Sequence, residues 1–129
     1  MRVLVVDDSA AVRKAICTLL STHPIFTPCG EACDGIDAIE KAQTSHPNIV
    51  LMDITMPKMD GLEATREITR VLPEAKVVVV SQHESPEVIR QAMSAGAKGY
   101  VSRSRVATDL FTAMEKVSRN ETFVVIKGK

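Results

Sequence analysis

Short, continuous apolar runs alternate with longer amphipathic stretches along most of the chain. Val3-Leu4-Val5-Val6, Ile49-Val50-Leu51-Met52 and Val77-Val78-Val79-Val80 are unbroken and rich in β-branched residues. Such runs predict strands covered on both faces, as in a parallel sheet. Gly99-Tyr100-Val101-Ser102 predicts a shorter strand. The stretch from Phe26 to Ala32 is interrupted by Pro28 and Gly30, so it belongs at a sheet edge, where a missing backbone donor is tolerated.

The intervening stretches carry helix ends. Ser9 stands before Val12, Ile16, Leu19 and Leu20, which share one helical face. A second helix runs from Asp34 to about Ser45. Asp60-Gly61-Leu62-Glu63 has the form of a capping box opening a helix through Ile68 and Val71, closed before Pro73. Ser85-Pro86 opens a fourth, which Gly96 ends. Leu110, Met114 and Val117 stripe the fifth. Five strand–helix units in succession predict a doubly wound α/β domain with right-handed crossovers. Residues 120–129 form a tail, either an extended end or the start of a linker.

Composition narrows the classes. With 129 residues, 45% hydrophobic and one quarter charged, the chain fits one folded domain with a single core. Sixteen basic and sixteen acidic side chains give zero formal charge, without the basic footprint of a nucleic-acid-binding domain. No apolar run approaches the roughly 20 residues of a membrane helix, and Asp7-Asp8 follow too soon for a secretory signal. A cytoplasmic protein without membrane contact is expected. Cys17, Cys29 and Cys33 form no CxxC pair and are expected to be reduced thiols, buried or half-buried.

In open parallel sheets, ligands bind beyond the carboxyl ends of the strands. Asp7 and Asp8 follow the first apolar run, Asp53 the third strand, Ser81 the fourth and Arg103 the fifth. Singly, each has an ordinary explanation. Asp8 or Ser9 could cap the following helix, and Ser81 or Arg103 could be a loop residue. Together they place three carboxylates, a hydroxyl and a cation in one crevice. Crowded carboxylates need a compensating cation, and oxygen ligands with room for water suit Mg²⁺. The implied chemistry is phosphoryl transfer to Asp53, with Arg103 and Ser81 toward the remaining phosphoryl oxygens.

On these residues the chain resembles the receiver domain of two-component response regulators. The likeness rests on Asp7-Asp8, on Asp53 with Met56-Pro57-Lys58-Met59-Asp60-Gly61, on Ser81, and on Gly96-Ala97-Lys98-Gly99-Tyr100 leading to Arg103. It covers residues 1–119, and implies a flavodoxin-like (βα)5 fold with strand order 2-1-3-4-5. The resemblance makes Asp53 the phosphoacceptor. It places Mg²⁺ on Asp8 and Asp53, on Asp7 through water and on the Thr55 carbonyl. Ser81 resembles the switch hydroxyl, and Tyr100 the aromatic that turns inward when that hydroxyl moves. Thr55 and His83 occupy positions that tune dephosphorylation, although His83 could equally be a solvated loop residue. One departure stands out: Arg103 replaces the family's usual lysine and is followed by Ser104, exchanging a point charge for a planar fork.

The resemblance further implies a histidine kinase as phosphodonor and signalling through the face of the fourth helix, fifth strand and fifth helix. Tyr100 and Arg105 are expected to border that face, which would also carry a homodimer contact. The segment Gly30-Glu31-Ala32-Cys33-Asp34-Gly35 and the tail resemble receivers joined to helix-turn-helix transcriptional outputs of the nitrate-response kind. Such a domain is a self-modifying switch rather than an enzyme acting on a separate substrate. The alternative is a receiver-like module that binds partners without phosphorylation, against which the acidic trio argues. A haloacid-dehalogenase-like phosphatase would need an acid where Thr55 stands. A flavodoxin would need a phosphate loop where Asp7-Asp8 repel an anion.

Overall fold

The structure is a computed structural model that describes residues 1–54, 60–83 and 85–124. Strands β1 (Arg2–Val6), β2 (Thr27–Ala32), β3 (Ile49–Met52), β4 (Lys76–Ser81), β5 (Gly99–Ser102) and β6 (Phe123–Val124) form one sheet ordered β2-β1-β3-β4-β5-β6. All five pairings are parallel. The expected order 2-1-3-4-5 is therefore present, extended by β6, a two-residue strand beside β5. β2 lies at the opposite edge. Its register against β1 shifts between the Val3–Pro28 and Leu4–Gly30 pairs, a bulge that accommodates the interrupted sequence.

Helices α1 (Ala10–Leu20), α2 (Gly35–Ser45), α3 (Gly61–Val71), α4 (Pro86–Ser94) and α5 (Val106–Ser118) connect the strands. The side chains of Ser9, Asp34, Asp60 and Ser85 accept backbone N–H groups of Val12, Asp37, Glu63 and Val88, capping α1 to α4. Ser9, not Asp8, makes the cap of α1, which leaves Asp8 outside that structural role. Gly96 ends α4 with φ of +115°, a conformation suited to glycine.

Alternate strand residues face opposite layers. Leu4, Val6, Val50, Met52, Val77 and Val79 pack with Ala38 and Ala42 of α2, Ala64 and Ile68 of α3, and Ile89 and Ala92 of α4. Val3, Val5, Leu51, Val78 and Val80 pack with Ile16 and Leu20 of α1 and with Leu110, Met114 and Val117 of α5. Both faces are covered, which is why these strands read as continuous apolar runs. The cysteines are free thiols. Cys17 and Cys29 are half-buried, but Cys33 is exposed, a correction explained by its place after the edge strand. No described helix is long and apolar enough to cross a membrane.

Candidate functional site

The sheet itself positions the acids. The Asp7 N–H donates to the Ala32 carbonyl (3.1 Å) and the Asp53 N–H to the Val6 carbonyl (3.0 Å). Both residues thus continue the parallel ladders one step beyond their strands. Their side chains meet Asp8 at the carboxyl edge, where one oxygen of each carboxylate lies within 4.8 Å of the others. Asp7 and Asp53 are buried, whereas Asp8 is exposed. Asp7 also accepts the Ser9 N–H at 2.9 Å, and its carbonyl accepts Arg13 Nη1 at 2.7 Å.

Burial pushes the Asp7 carboxyl above its ordinary pKa. The Ser9 N–H and the Arg103 guanidinium work in the opposite direction, and Asp8 reinforces the rise. Arg103 follows β5 in a short 3-10 turn (Arg103–Arg105) and turns into the site. Its Nη2 lies 2.8 Å from Asp7 Oδ2 and 3.6 Å from Asp53 Oδ2. The cation occupies the place expected for it. Lys98 precedes β5 and hydrogen-bonds by its backbone to Val77 and Phe123, at the opposite end of the sheet.

Ser81 ends β4 fully buried. Its Oγ accepts the His83 N–H at 3.1 Å, and the His83 carbonyl accepts the Tyr100 hydroxyl at 2.7 Å. The His83 backbone therefore links Ser81 to Tyr100. Tyr100 lies on β5, one of the elements of the expected face, and is 1% exposed. Its ring packs in the layer with α4, in the inward position. Arg105 is exposed and pairs with Asp109 at 2.8 Å. Thr55 lies outside the described residues, as does the motif from Met56 to Met59.

Asp8, Asp53, Gln82, His83 and Arg103 line a pocket of about 220 Å³. Gln82 was not singled out by the sequence, and nothing but its place after Ser81 could have marked it. Gly61 reads in the sequence as part of a cap and of the motif after Asp53, neither of which shows its packing role. A Cβ there would lie 2.2 Å from the Asp53 carbonyl oxygen and 2.4 Å from Ile54 Cα, so glycine lets α3 abut the backbone that carries Asp53. The close spacing of Asp7, Asp8 and Asp53, already partly neutralised by a guanidinium, fits a small divalent cation such as Mg²⁺.

Fold and site define a doubly wound α/β module with an acidic, cation-accepting crevice at the topological switch between β1 and β3. Residues 3–115 match the response regulator receiver domain. The chain is 37% identical over 122 residues to the response regulator protein VraR of Staphylococcus saprophyticus, covering 95% of this chain and 58% of that protein. It thus spans little more than half the length of the curated relatives it matches. The crystal structure of a LuxR-family two-component response regulator from Aurantimonas superposes with a TM-score of 0.91 at 30% identity, over 98% of this chain and 89% of that one. The signal receiver domain of the putative response regulator NarL from Mycobacterium tuberculosis gives 0.87 at 28% identity, over 93% and 97%. The chain belongs to the receiver-domain family of response regulators, the phosphoacceptor modules of two-component signalling.

Proposed function

We propose that Asp53 is the phosphoacceptor of this receiver, with Asp7, Asp8, Asp53 and the Thr55 carbonyl as the Mg²⁺ ligands. The observation that carries this reading is the convergence of three carboxylates within 4.8 Å at the mouth of a small pocket, with Arg103 beside them. An Asp53 oxygen attacks the phosphorus of a kinase phosphohistidine. The P–O bond forms as the P–N bond breaks, and the imidazole leaves with that electron pair. A divalent cation, when bound, supplies charge neutralisation between the carboxylates and the phosphoryl oxygens.

Arg103 is the second cation of the site, its planar fork suited to two phosphoryl oxygens. Ser81 Oγ gives a hydrogen bond to the new group, and in moving it loosens the His83 N–H that it now accepts. That disturbance reaches Tyr100 through the His83 carbonyl. The face of α4, β5 and α5 then carries the signal, including to a homodimer partner. His83, which lines the pocket, and Thr55, two residues beyond Asp53 in the chain, set the phosphoryl lifetime. Residues 1–119 act as the receiver unit, with residues 120–129 as a tail or the start of a linker. The likeness to LuxR-family and NarL receivers supports a transcriptional output.

The test is intact mass after incubation with acetyl phosphate, with and without Mg²⁺, beside Asp53→Asn. One Mg²⁺-dependent phosphoryl group, lost in the variant, is the expected result. Stable uptake of a phosphoryl group by Asp53→Asn would refute the assignment.

A further inference from the structure

A second concavity lies on the other side of Arg103. It is an apolar groove of about 350 Å³ between α1 and the start of α5, walled by Val12, Ala15, Ile16, Val106 and Ala107. Among the described residues, Arg103 is common to the walls of this groove and of the acidic pocket. Its Nη2 is held by Asp7, but its Nε is buried without a hydrogen-bond partner among the described residues. A buried donor lacking an acceptor is unfavourable, so the resting guanidinium keeps one unmet donor at Nε. A phosphoryl group on Asp53, 3.6 Å from Nη2, would offer several acceptor oxygens to the same fork. Because the Arg103 side chain helps wall the groove, the fork cannot turn without reshaping that wall.

We propose that Arg103 ties the shape of the groove between α1 and α5 to the occupancy of the acidic pocket. An anion on Asp53 draws the guanidinium from Asp7 and remodels the groove. Filling the groove holds the side chain in its resting place and opposes anion binding, since coupling between two sites is reciprocal. This inference rests on the phosphoacceptor reading of Asp53. It adds a response on the face opposite α4, carried by the arginine that replaces the family's usual lysine.

The experiment uses Ala15→Leu and Ala107→Leu, two exposed positions that line the groove and do not touch the acids. Beryllofluoride affinity is measured in Mg²⁺ buffer by calorimetry, in the wild-type and Arg103→Lys backgrounds. Each filling substitution is expected to weaken binding about fivefold or more beside Arg103, the lower range of measured allosteric coupling, and to leave it unchanged beside the lysine. Wild-type affinity in both filled variants, or equal weakening in both backgrounds, overturns the coupling alone. If Arg103→Lys abolishes binding, the wild-type methyl resonances of Ala15 and Ala107 decide. Their shift on adding beryllofluoride supports the coupling, and their constancy overturns it. Failure of the wild-type protein to bind beryllofluoride at all overturns the phosphoacceptor reading and this inference with it.

Discussion

Gly61→Ala is the substitution by which the packing beneath the site is best tested. Gly61 opens α3, and a methyl group there would sit 2.2 Å from the Asp53 carbonyl oxygen, 2.4 Å from Ile54 Cα and 2.9 Å from the Asp53 carbonyl carbon. All three atoms are backbone, so no rotamer change relieves the contact. Against an ordinary contact of 3.4 Å the shortfall is about 1.2 Å. Two effects compete. Alanine gains at most about 1 kcal/mol over glycine in a helix interior, and less at its first residue. Overpacking a rigid neighbourhood costs about 1–3 kcal/mol, and a backbone displacement above 1 Å belongs at the upper end.

The clash wins, with net destabilisation of about 2 kcal/mol and a Tm lowered by roughly 6–8 °C for a domain of this size. The variant should also bind beryllofluoride more weakly, because Asp53 rides on the displaced segment. A misplacement near 1 Å at a reacting group can cost on the order of 100-fold. Urea denaturation followed by circular dichroism gives the midpoint and slope, and calorimetry gives the affinity. A variant matching wild type in midpoint, slope and affinity would refute the argument that α3 is pressed against the Asp53 backbone.

Other substitutions separate the roles of the remaining groups. Mg²⁺ should raise the Tm of the wild-type protein, by about 2.7 kcal/mol of added stability at 100 times its Kd; Asp8→Asn should lose most of that gain, and an equal gain would remove Asp8 from the ligand set. Burial raises the Asp7 pKa, so the folded state holds that proton more tightly than the unfolded chain does. The group's stabilising contribution is therefore present below the ordinary carboxylate value and is lost as pH rises through the raised one, so its charge is a cost at neutral pH. Asp7→Asn should accordingly leave Tm unchanged or higher in metal-free buffer at neutral pH, and a clear drop would contradict burial as the dominant cause. Tyr100→Phe removes the hydroxyl that His83 accepts at 2.7 Å and should cost about 0.5–1.5 kcal/mol by denaturation. An undiminished stability would show that this hydrogen bond does not hold the ring inward.

The fold was legible where local and global signals agree. The runs beginning at Val3, Ile49 and Val77 became central strands because both their faces are covered. Ser9, Asp34, Asp60 and Ser85 mark helix starts because each short polar side chain satisfies an otherwise unpaired N–H. The acidic cluster was legible because topology places strand ends together. β6 was not, since two residues carry no periodicity and its pairing is supplied by the backbone of β5. The inward turn of Arg103 depends on a 3-10 turn without a side-chain cap and on attraction to Asp7, neither of which has a local pattern. The sequence puts Tyr100 on the fifth strand but carries no sign of the His83 carbonyl that accepts its hydroxyl or of the depth at which the ring is buried. Gly61 reads as a capping-box residue, whereas its close approach to Asp53 exists only in three dimensions.

The central claim is that the Asp53 carboxylate carries the phosphoryl group. Borohydride reduces an aspartyl phosphate to homoserine, so reduction after acetyl phosphate treatment, followed by peptide mass spectrometry, reads the acceptor directly. Homoserine at position 53, formed only with Mg²⁺, is the predicted result. Homoserine at another acidic position, or a phosphoryl group that survives reduction as an ester on Ser81, would contradict it.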